Sequence, residues 1–336
     1  MSNKFGIYIH IPFCTTICPF CNFNVYSSNS ADYDGLVGLL LSDLKSKYVL
    51  FLNKDLESIH FGGGTPSLLP TKLIEKILYE IRTLFSVKSD CEVTIEINPY
   101  DKEVGEPSTL HDLGINRFSI GLQSFSDKKL KVLGRDSTKA SNIAFVSKIS
   151  KSAIENFSFD LIFGVDKESL EDWEKELSYL KDLDVKHVST YCLTIEESTP
   201  FWKMRDRGII DEVKDDVFLD MTILTRIFLE GMGVQQYEIS NFSKPSYESK
   251  HNMLYWNSES YLGLGPGAHS SLVDLEKGDY SRWSNPKSIK DYSNSLGKKF
   301  VPNVLGIKEY IRDSFMMGLR LKKGVNLERL RSIKDF

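Results

Sequence analysis

The chain has 336 residues, more than one average domain and enough for a single α/β barrel-like body with an appendage. Its formal net charge of -4 gives no reason to expect nucleic acid, and the basic group Arg320, Lys322 and Lys323 reads as solvated surface. Its five cysteines are an odd number, with Cys91 and Cys192 isolated at strand-like positions, which argues against a disulfide framework and a secreted protein. The N-terminus lacks the basic leader, long apolar stretch and small-residue cleavage site of a signal peptide. Apolar runs, the longest at 36–41, fall far short of the roughly 20 residues of a membrane span. A cytoplasmic protein without a transmembrane segment is expected.

The first predicted element is a short strand at 7–11, followed directly by Cys14, Cys18 and Cys21 in the spacing C-x-x-x-C-x-x-C, with no fourth cysteine nearby. Three thiolates can hold three irons of a 4Fe-4S cluster and leave the fourth iron open to a ligand. Zinc is the competing reading. A structural zinc site wants four ligands, and His10 would point from its strand into a different part of the fold.

Tyr33, Leu36, Val37, Leu40, Leu41, Leu44 and Tyr48 then recur at helical spacing, and a strand at 58–61 runs into Gly62-Gly63-Gly64-Thr65-Pro66. A second helix carries Leu73, Ile74, Ile77, Leu78, Ile81 and Leu84, starting near Pro70 and Thr71. Further strands are expected at 92–97, 117–122, 157–163 and 187–191, each separated from the next by helical segments. Repeated β-α units imply a parallel sheet with right-handed crossovers, and six fit the region up to about residue 235. The predicted fold class is therefore α/β, a partial (β/α)6 barrel over 1–235 with a smaller, mainly helical C-terminal domain over 236–336.

Strand alternation divides the faces. Ile7, Ile9 and Ile11 share one face and leave Tyr8 and His10 on the other; Val93, Ile95 and Ile97 alternate with Thr94, Glu96 and Asn98. The same pattern sets Gln123 apart from Phe118, Ile120 and Leu122, and Asp160 apart from Phe157, Phe159 and Leu161. With the apolar faces under helices, Tyr8, Glu96, Gln123 and Asp160 converge on one lumen near the carboxyl ends of the strands. Any one of them alone also reads as a solvated strand end. The glycine run lets a backbone approach a ligand closely, with Thr65 adding a hydroxyl; alone it also reads as a tight strand-to-helix turn. It lacks the lysine and spacing of a P-loop.

Together, the segment Tyr8-Ile9-His10-Ile11-Pro12-Phe13-Cys14, the run Gly62-Gly63-Gly64-Thr65-Pro66, Glu96-Ile97-Asn98-Pro99, Gly121-Leu122-Gln123-Ser124-Phe125 and Phe159-Asp160-Leu161-Ile162-Phe163-Gly164 resemble the radical S-adenosylmethionine superfamily. Over nearly the whole chain the resemblance is to its oxygen-independent coproporphyrinogen oxidase family. It implies a 4Fe-4S cluster on Cys14, Cys18 and Cys21 whose open iron is chelated by S-adenosylmethionine (SAM). Gly63, Gly64 and Thr65 match the segment that meets the SAM amino group, and Glu96, Gln123, Arg135 and Asp160 match further cofactor positions beside Tyr8. Arg135 can bind a carboxylate as a planar fork, although a surface loop arginine is its competing reading.

The family has two branches. The decarboxylating branch carries a cysteine two positions after the third cluster cysteine, where this chain has Phe23; the HemW-like haem chaperones carry phenylalanine there and an H-N-x-x-Y-W segment, here His251-Asn252-Met253-Leu254-Tyr255-Trp256. The resemblance thus implies a haem chaperone that passes haem to acceptors such as respiratory enzymes, with peripheral membrane contact left open and no catalytic residue assigned. His251 would ligate iron while Tyr255 and Trp256 wall a porphyrin; packed core is the competing reading for these residues. The alternative is an oxygen-independent coproporphyrinogen III oxidase, a radical SAM oxidative decarboxylase. The stretch 261–270 matches a glycine-rich loop that covers the cofactor, with His269 as a candidate, and the C-terminal part matches a HemN-like domain that normally runs beyond Phe336.

Overall fold

A computed structural model describes residues 3–100, 107–297, 300–331 and 333; the chain end at Phe336 lies outside the described residues. Six strands run parallel and in sequence order: β1 (Lys4–Ile11), β2 (Asp55–Gly63), β3 (Val87–Ile97), β4 (Arg117–Gln123), β5 (Asn156–Phe163) and β6 (His187–Cys192). Helices follow each of them, beginning with Tyr33–Lys47 after β1 and Thr71–Leu84 after β2. The six expected β-α units are all present.

Amphipathic spacing explains how the helices seat. In Thr71–Leu84, Leu73, Ile74, Ile77, Leu78 and Ile81 are buried at intervals of three and four, so one stripe faces the sheet. Each such side chain contributes about 1.5 to 3 kcal/mol when removed from water. Beneath the helices, Ile7, Ile9, Ile59, Phe61, Ile95, Phe118, Ile120 and Phe159 form one apolar core. The alternate residues of the same strands face the other way.

The chain after residue 235 extends this sheet at both ends. Strands β7 (Gln235–Gln236) and β8 (Asn241–Ser243) continue beyond β6, with β8 antiparallel to it. At the opposite flank β9 (Ser260–Leu264) lies parallel to β1, followed by antiparallel β10 (His269–Asp274) and β11 (Asp279–Ser284). The eleven strands therefore lie in the order β11-β10-β9-β1-β2-β3-β4-β5-β6-β8-β7. The stretch 261–270, read from its glycines as a loop, is largely strand. Leu262 and Leu264 enter the core beside β1, and Gly263, having no side chain, lets the backbone of His269 cross against it. The helices of the C-terminal region are Lys250–Trp256, Ile289–Ser295, Ile307–Gly318 and Leu327–Arg331. No helix among the described residues is long and apolar enough to cross a membrane.

A buried polar cluster fastens this last region to the first helix. Lys47 and Asp43, 4% and 0% exposed, pair at 2.6 Å; Lys47 Nζ also donates to Asn285 Oδ1 at 2.9 Å, and the Tyr292 hydroxyl donates to Asp43 Oδ2 at 2.9 Å. Removing one partner of a buried ion pair leaves the other uncompensated in a low-dielectric interior. Lys47→Ala is expected to lower the unfolding free energy by about 3 to 5 kcal/mol, because Asp43 is left without its counter-charge. Urea unfolding of the variant against the parent measures the loss.

Candidate functional site

The cysteine loop is held from three sides by hydrogen bonds. Phe13–Cys14 pairs in parallel with Tyr26–Ser27, which closes the loop on itself. From β2 the glycine turn reaches across: Gly64 N–H donates to Ile11 O and Thr65 N–H to Phe13 O, both at 2.8 Å. A Cβ on Gly64 would stand 2.6 Å from Phe13 O and 3.0 Å from Cys14 Sγ, so only glycine permits this approach. His10 supplies the third hold. It was expected to point away from the loop, yet its Nε2 donates to Asn24 O at 2.9 Å, while the Asn24 amide donates to Pro266 O and Lys287 O at 3.0 and 2.8 Å. The loop curls back over the end of β1, so the lumen face of that strand meets its return.

All three thiols are free and line a single cavity of about 480 Å3. Burial pushes the Cys14 thiol up to about 11, against the pull of the Thr65 hydroxyl, which donates to Cys14 Sγ at 3.7 Å. Cys18 and Cys21 are raised for the same reason, and the Arg135 guanidinium draws both down. No three His, Cys, Asp or Glu side chains among the described residues gather around a point as a single metal ion requires. The three thiols share the cavity with the Thr65 hydroxyl and the Arg135 guanidinium.

The strands set the lumen in layers. Tyr8, His60, Thr94 and Arg117 stand in register across β1 to β4 and form the floor. Above them, Glu96 Oε2 accepts the Gly63 N–H at 3.2 Å and Glu96 Oε1 meets His60 Nε2 at 3.0 Å. Tyr8 OH lies 3.0 Å from His10 Nδ1 with its ring stacked on His60, and burial raises its phenol well above the ordinary value. A relay then joins Arg135 to the thiols: Arg135 Nη1 donates to Asn98 Oδ1 at 2.9 Å, and Asn98 Nδ2 donates to Thr65 Oγ1 at 2.8 Å. Gly121 leaves room for this crossing, since its Cβ would fall 2.9 Å from both Asn98 Oδ1 and Gln123 Nε2. Asp160 accepts from Ser119 Oγ at 2.8 Å, and burial raises its carboxyl.

Tyr8, Gly63, Gly64, Thr65, Glu96, Gln123, Arg135 and Asp160 thus line the same cavity as the three cysteines. Gln123 arrives there by a local irregularity, at φ 64 where the register of β4 on β5 shifts. His60 was missed in the sequence, although its alternation with Ile59 and Phe61 carried the signal. His187 was missed likewise; its Nδ1 meets Ser158 Oγ at 2.7 Å and its Nε2 meets Tyr237 OH at 2.9 Å.

The segment 251–256 is only partly brought to this cavity. Helix Lys250–Trp256 packs against β1, β2 and β9, its first turn held by Glu92, whose carboxylate accepts the backbone N–H groups of Lys250 and His251 at 3.2 and 3.1 Å. His251 and Tyr255 line the lumen from the same helix face. Trp256, one residue on, is turned about 100° away and instead lines a separate cavity with Tyr310 and Ser314, under the Arg320 guanidinium at 4.6 Å. Of the three, His251 and Tyr255 line the lumen and Trp256 does not. His251 is 1% exposed, with Nδ1 bonded to Ser58 Oγ at 2.8 Å and Nε2 to Tyr255 OH at 2.7 Å; burial holds its imidazole well below the ordinary range. His269 opens β10 as an exposed residue and is not among the lumen residues.

A six-unit parallel barrel whose lumen opens on a three-cysteine loop defines the class, and residues 8–180 match the family model of the Radical SAM superfamily. Heme chaperone HemW of Bacillus subtilis (strain 168) is 32% identical over 327 residues, covering 96% of this chain and 85% of that protein. Heme chaperone HemW of Buchnera aphidicola subsp. Schizaphis graminum (strain Sg) is 35% identical over 321 residues, covering 95% and 84%. Among solved structures, the coproporphyrinogen III oxidase HemN of Escherichia coli matches with a TM-score of 0.79 at 22% identity, covering 95% of this chain and 76% of that one, and so shares the fold. The chain belongs to the HemW family of radical SAM proteins. Membership of the superfamily implies a 4Fe-4S cluster and SAM, and the cradle of Gly64 and Thr65 around Cys14 fits that group.

The close approach of the glycine turn is open to a direct test. Gly64→Ala is expected to force the turn off the cysteine loop and lower the melting temperature, with weaker protection of the Thr65 amide in hydrogen exchange. Unchanged protection would mean that the approach is looser than the 2.8 Å bonds imply.

Proposed function

We propose that this protein is a haem chaperone that binds haem and transfers it to acceptor proteins such as respiratory enzymes, carrying a 4Fe-4S cluster and SAM. One observation carries the reading: the cysteines and all eight residues expected at SAM line one cavity in a member of the HemW family. Cys14, Cys18 and Cys21 would hold the cluster, which would supply an open iron for SAM to bind. The Gly63-Gly64-Thr65 backbone would receive the amino group, Arg135 the carboxylate, and Glu96, Gln123 and Asp160 the remaining polar groups, with Tyr8 closing the floor. Residues 1–235 form the cofactor-holding part and 236–336 the part that completes the lumen through His251 and Tyr255. His251 would ligate a haem iron only by giving up one of its two hydrogen bonds, to Ser58 or to Tyr255. The site of action is the cytoplasm, with transfer at a membrane surface compatible with respiratory acceptors.

The oxidase alternative shares the fold but not the residue at position 23, where a phenylalanine removes the extra thiol of the decarboxylating branch. Anaerobically reconstituted protein is expected to bind haemin and to leave coproporphyrinogen III unconverted with reductant and SAM present. Turnover to protoporphyrinogen IX would reverse the assignment.

Two sets of substitutions test the cofactor roles. Alanine at Cys14, Cys18 or Cys21 should each abolish the cluster, measured as iron and sulfide content, whereas Cys91→Ala and Cys192→Ala should retain it. Alanine at Glu96, Gln123 or Asp160 should weaken SAM roughly ten- to a hundredfold, the cost of one hydrogen bond to a charged group. Calorimetric titration reads this directly, and undiminished affinity in all three would remove them from the SAM site.

A further inference from the structure

Glu96 reaches into the open part of the lumen, its side chain 35% exposed. A carboxylate so placed keeps one orientation only if neighbouring groups hold it. Its Oε2 accepts the Gly63 N–H at 3.2 Å and its Oε1 lies 3.0 Å from His60 Nε2, while Gly62 leaves the space the carboxylate occupies, since a Cβ there would stand 2.8 Å from Oε1. An ionised carboxylate only accepts, so the shared hydrogen sits on His60 Nε2. The other ring nitrogen, Nδ1, is shielded and has no hydrogen-bond partner among the described residues. The imidazole is itself held in orientation, because its ring faces those of His251 and Tyr8 with centroids 4.9 and 6.0 Å away and planes 24° and 26° apart. Those two rings are tied in turn, His251 to Ser58 and Tyr255, and Tyr8 to His10.

We propose that His60 is a positioning residue for SAM: its Nε2–H orients the Glu96 carboxylate so that the remaining lone pairs of both oxygens face the hydrogen-bond donors of SAM. The inference rests on the SAM-binding part of the reading above and specifies what sets the strength of one of its contacts. A carboxylate offers roughly four lone-pair sites, and His60 and Gly63 occupy two of them. The effect of His60 passes through Glu96 and not through a contact of its own with SAM. Because Nδ1 is unused, only the hydrogen on Nε2 matters, and an amide that places an N–H at the same point can replace it.

The test is calorimetric titration of SAM into the full chain with its cluster reconstituted. His60→Phe keeps an aromatic ring and loses the N–H, whereas His60→Gln keeps an N–H and loses the ring. The phenylalanine variant should bind SAM roughly three- to tenfold more weakly, the cost of leaving one side chain to be ordered on binding, and the glutamine variant should stay within about twofold of the parent. A residue that served packing alone would give the reverse order. Glu96→Ala supplies a second arm: in that background His60→Phe should change the affinity by less than about twofold, because no carboxylate is left to act through. Full affinity in His60→Phe, a loss in His60→Gln equal to that in His60→Phe, or additive losses in the double variant would overturn the positioning role while leaving SAM binding intact. Iron and sulfide content is followed throughout; should His60→Phe lose the cluster, His60→Gln decides, retained affinity supporting the role and a loss of about threefold or more overturning it. A parent protein that binds no SAM, or unchanged affinity in Glu96→Ala, would overturn the SAM reading of Glu96 and this role with it.

Discussion

The site depends on how closely one backbone turn approaches another. Two hydrogen bonds, from Gly64 to Ile11 and from Thr65 to Phe13, tie the end of β2 to the start of the cysteine loop. They bring the Thr65 hydroxyl to the Cys14 sulfur and, through Asn98, connect Arg135 to the same group. A side chain at position 64 would meet a carbonyl and a sulfur, so the whole arrangement hangs on the absence of one Cβ. Burial disfavours the thiolate form of all three cysteines, and the Arg135 guanidinium works against that.

Around this junction the parallel strands divide the work by face. Core residues such as Ile59, Ile95 and Phe159 carry stability, and their neighbours His60, Glu96 and Asp160 carry polarity into the lumen. The C-terminal region completes the enclosure from both flanks, with β9 beside β1 and β8 beside β6. Its helix Lys250–Trp256 contributes His251 and Tyr255 to the inner wall, held by Glu92 from β3. Polarity thus concentrates at the floor, where Tyr8, His60, Thr94 and Arg117 stand in register.

Much of this was legible in the sequence because a period of two is unambiguous on a strand with one face buried. Tyr8, Glu96 and Asp160 fell on the correct side by alternation alone, and Gln123 did so despite a register shift that alternation does not foresee. The cysteine spacing and the glycine run were local signals. His10 was misplaced because its role depends on the return of the loop at Asn24, a tertiary fact. The strand Ser260–Leu264 was read as a loop because its glycines mask a pairing that only β1 supplies. Trp256 was grouped with His251 and Tyr255 because the three belong to one motif, although helical geometry separates the last residue from the other two.

The central proposal is that the lumen around the three-cysteine loop holds a cluster and SAM in a protein that also binds haem. It is tested most directly by titrating the cluster-loaded protein with haemin in the presence and absence of saturating SAM, following the haem absorbance and the cluster's spin-resonance signal together. The account predicts that haem binds with SAM in place and that the SAM-dependent cluster signal persists. Displacement of SAM by haem, or loss of haem binding when SAM saturates, would contradict it.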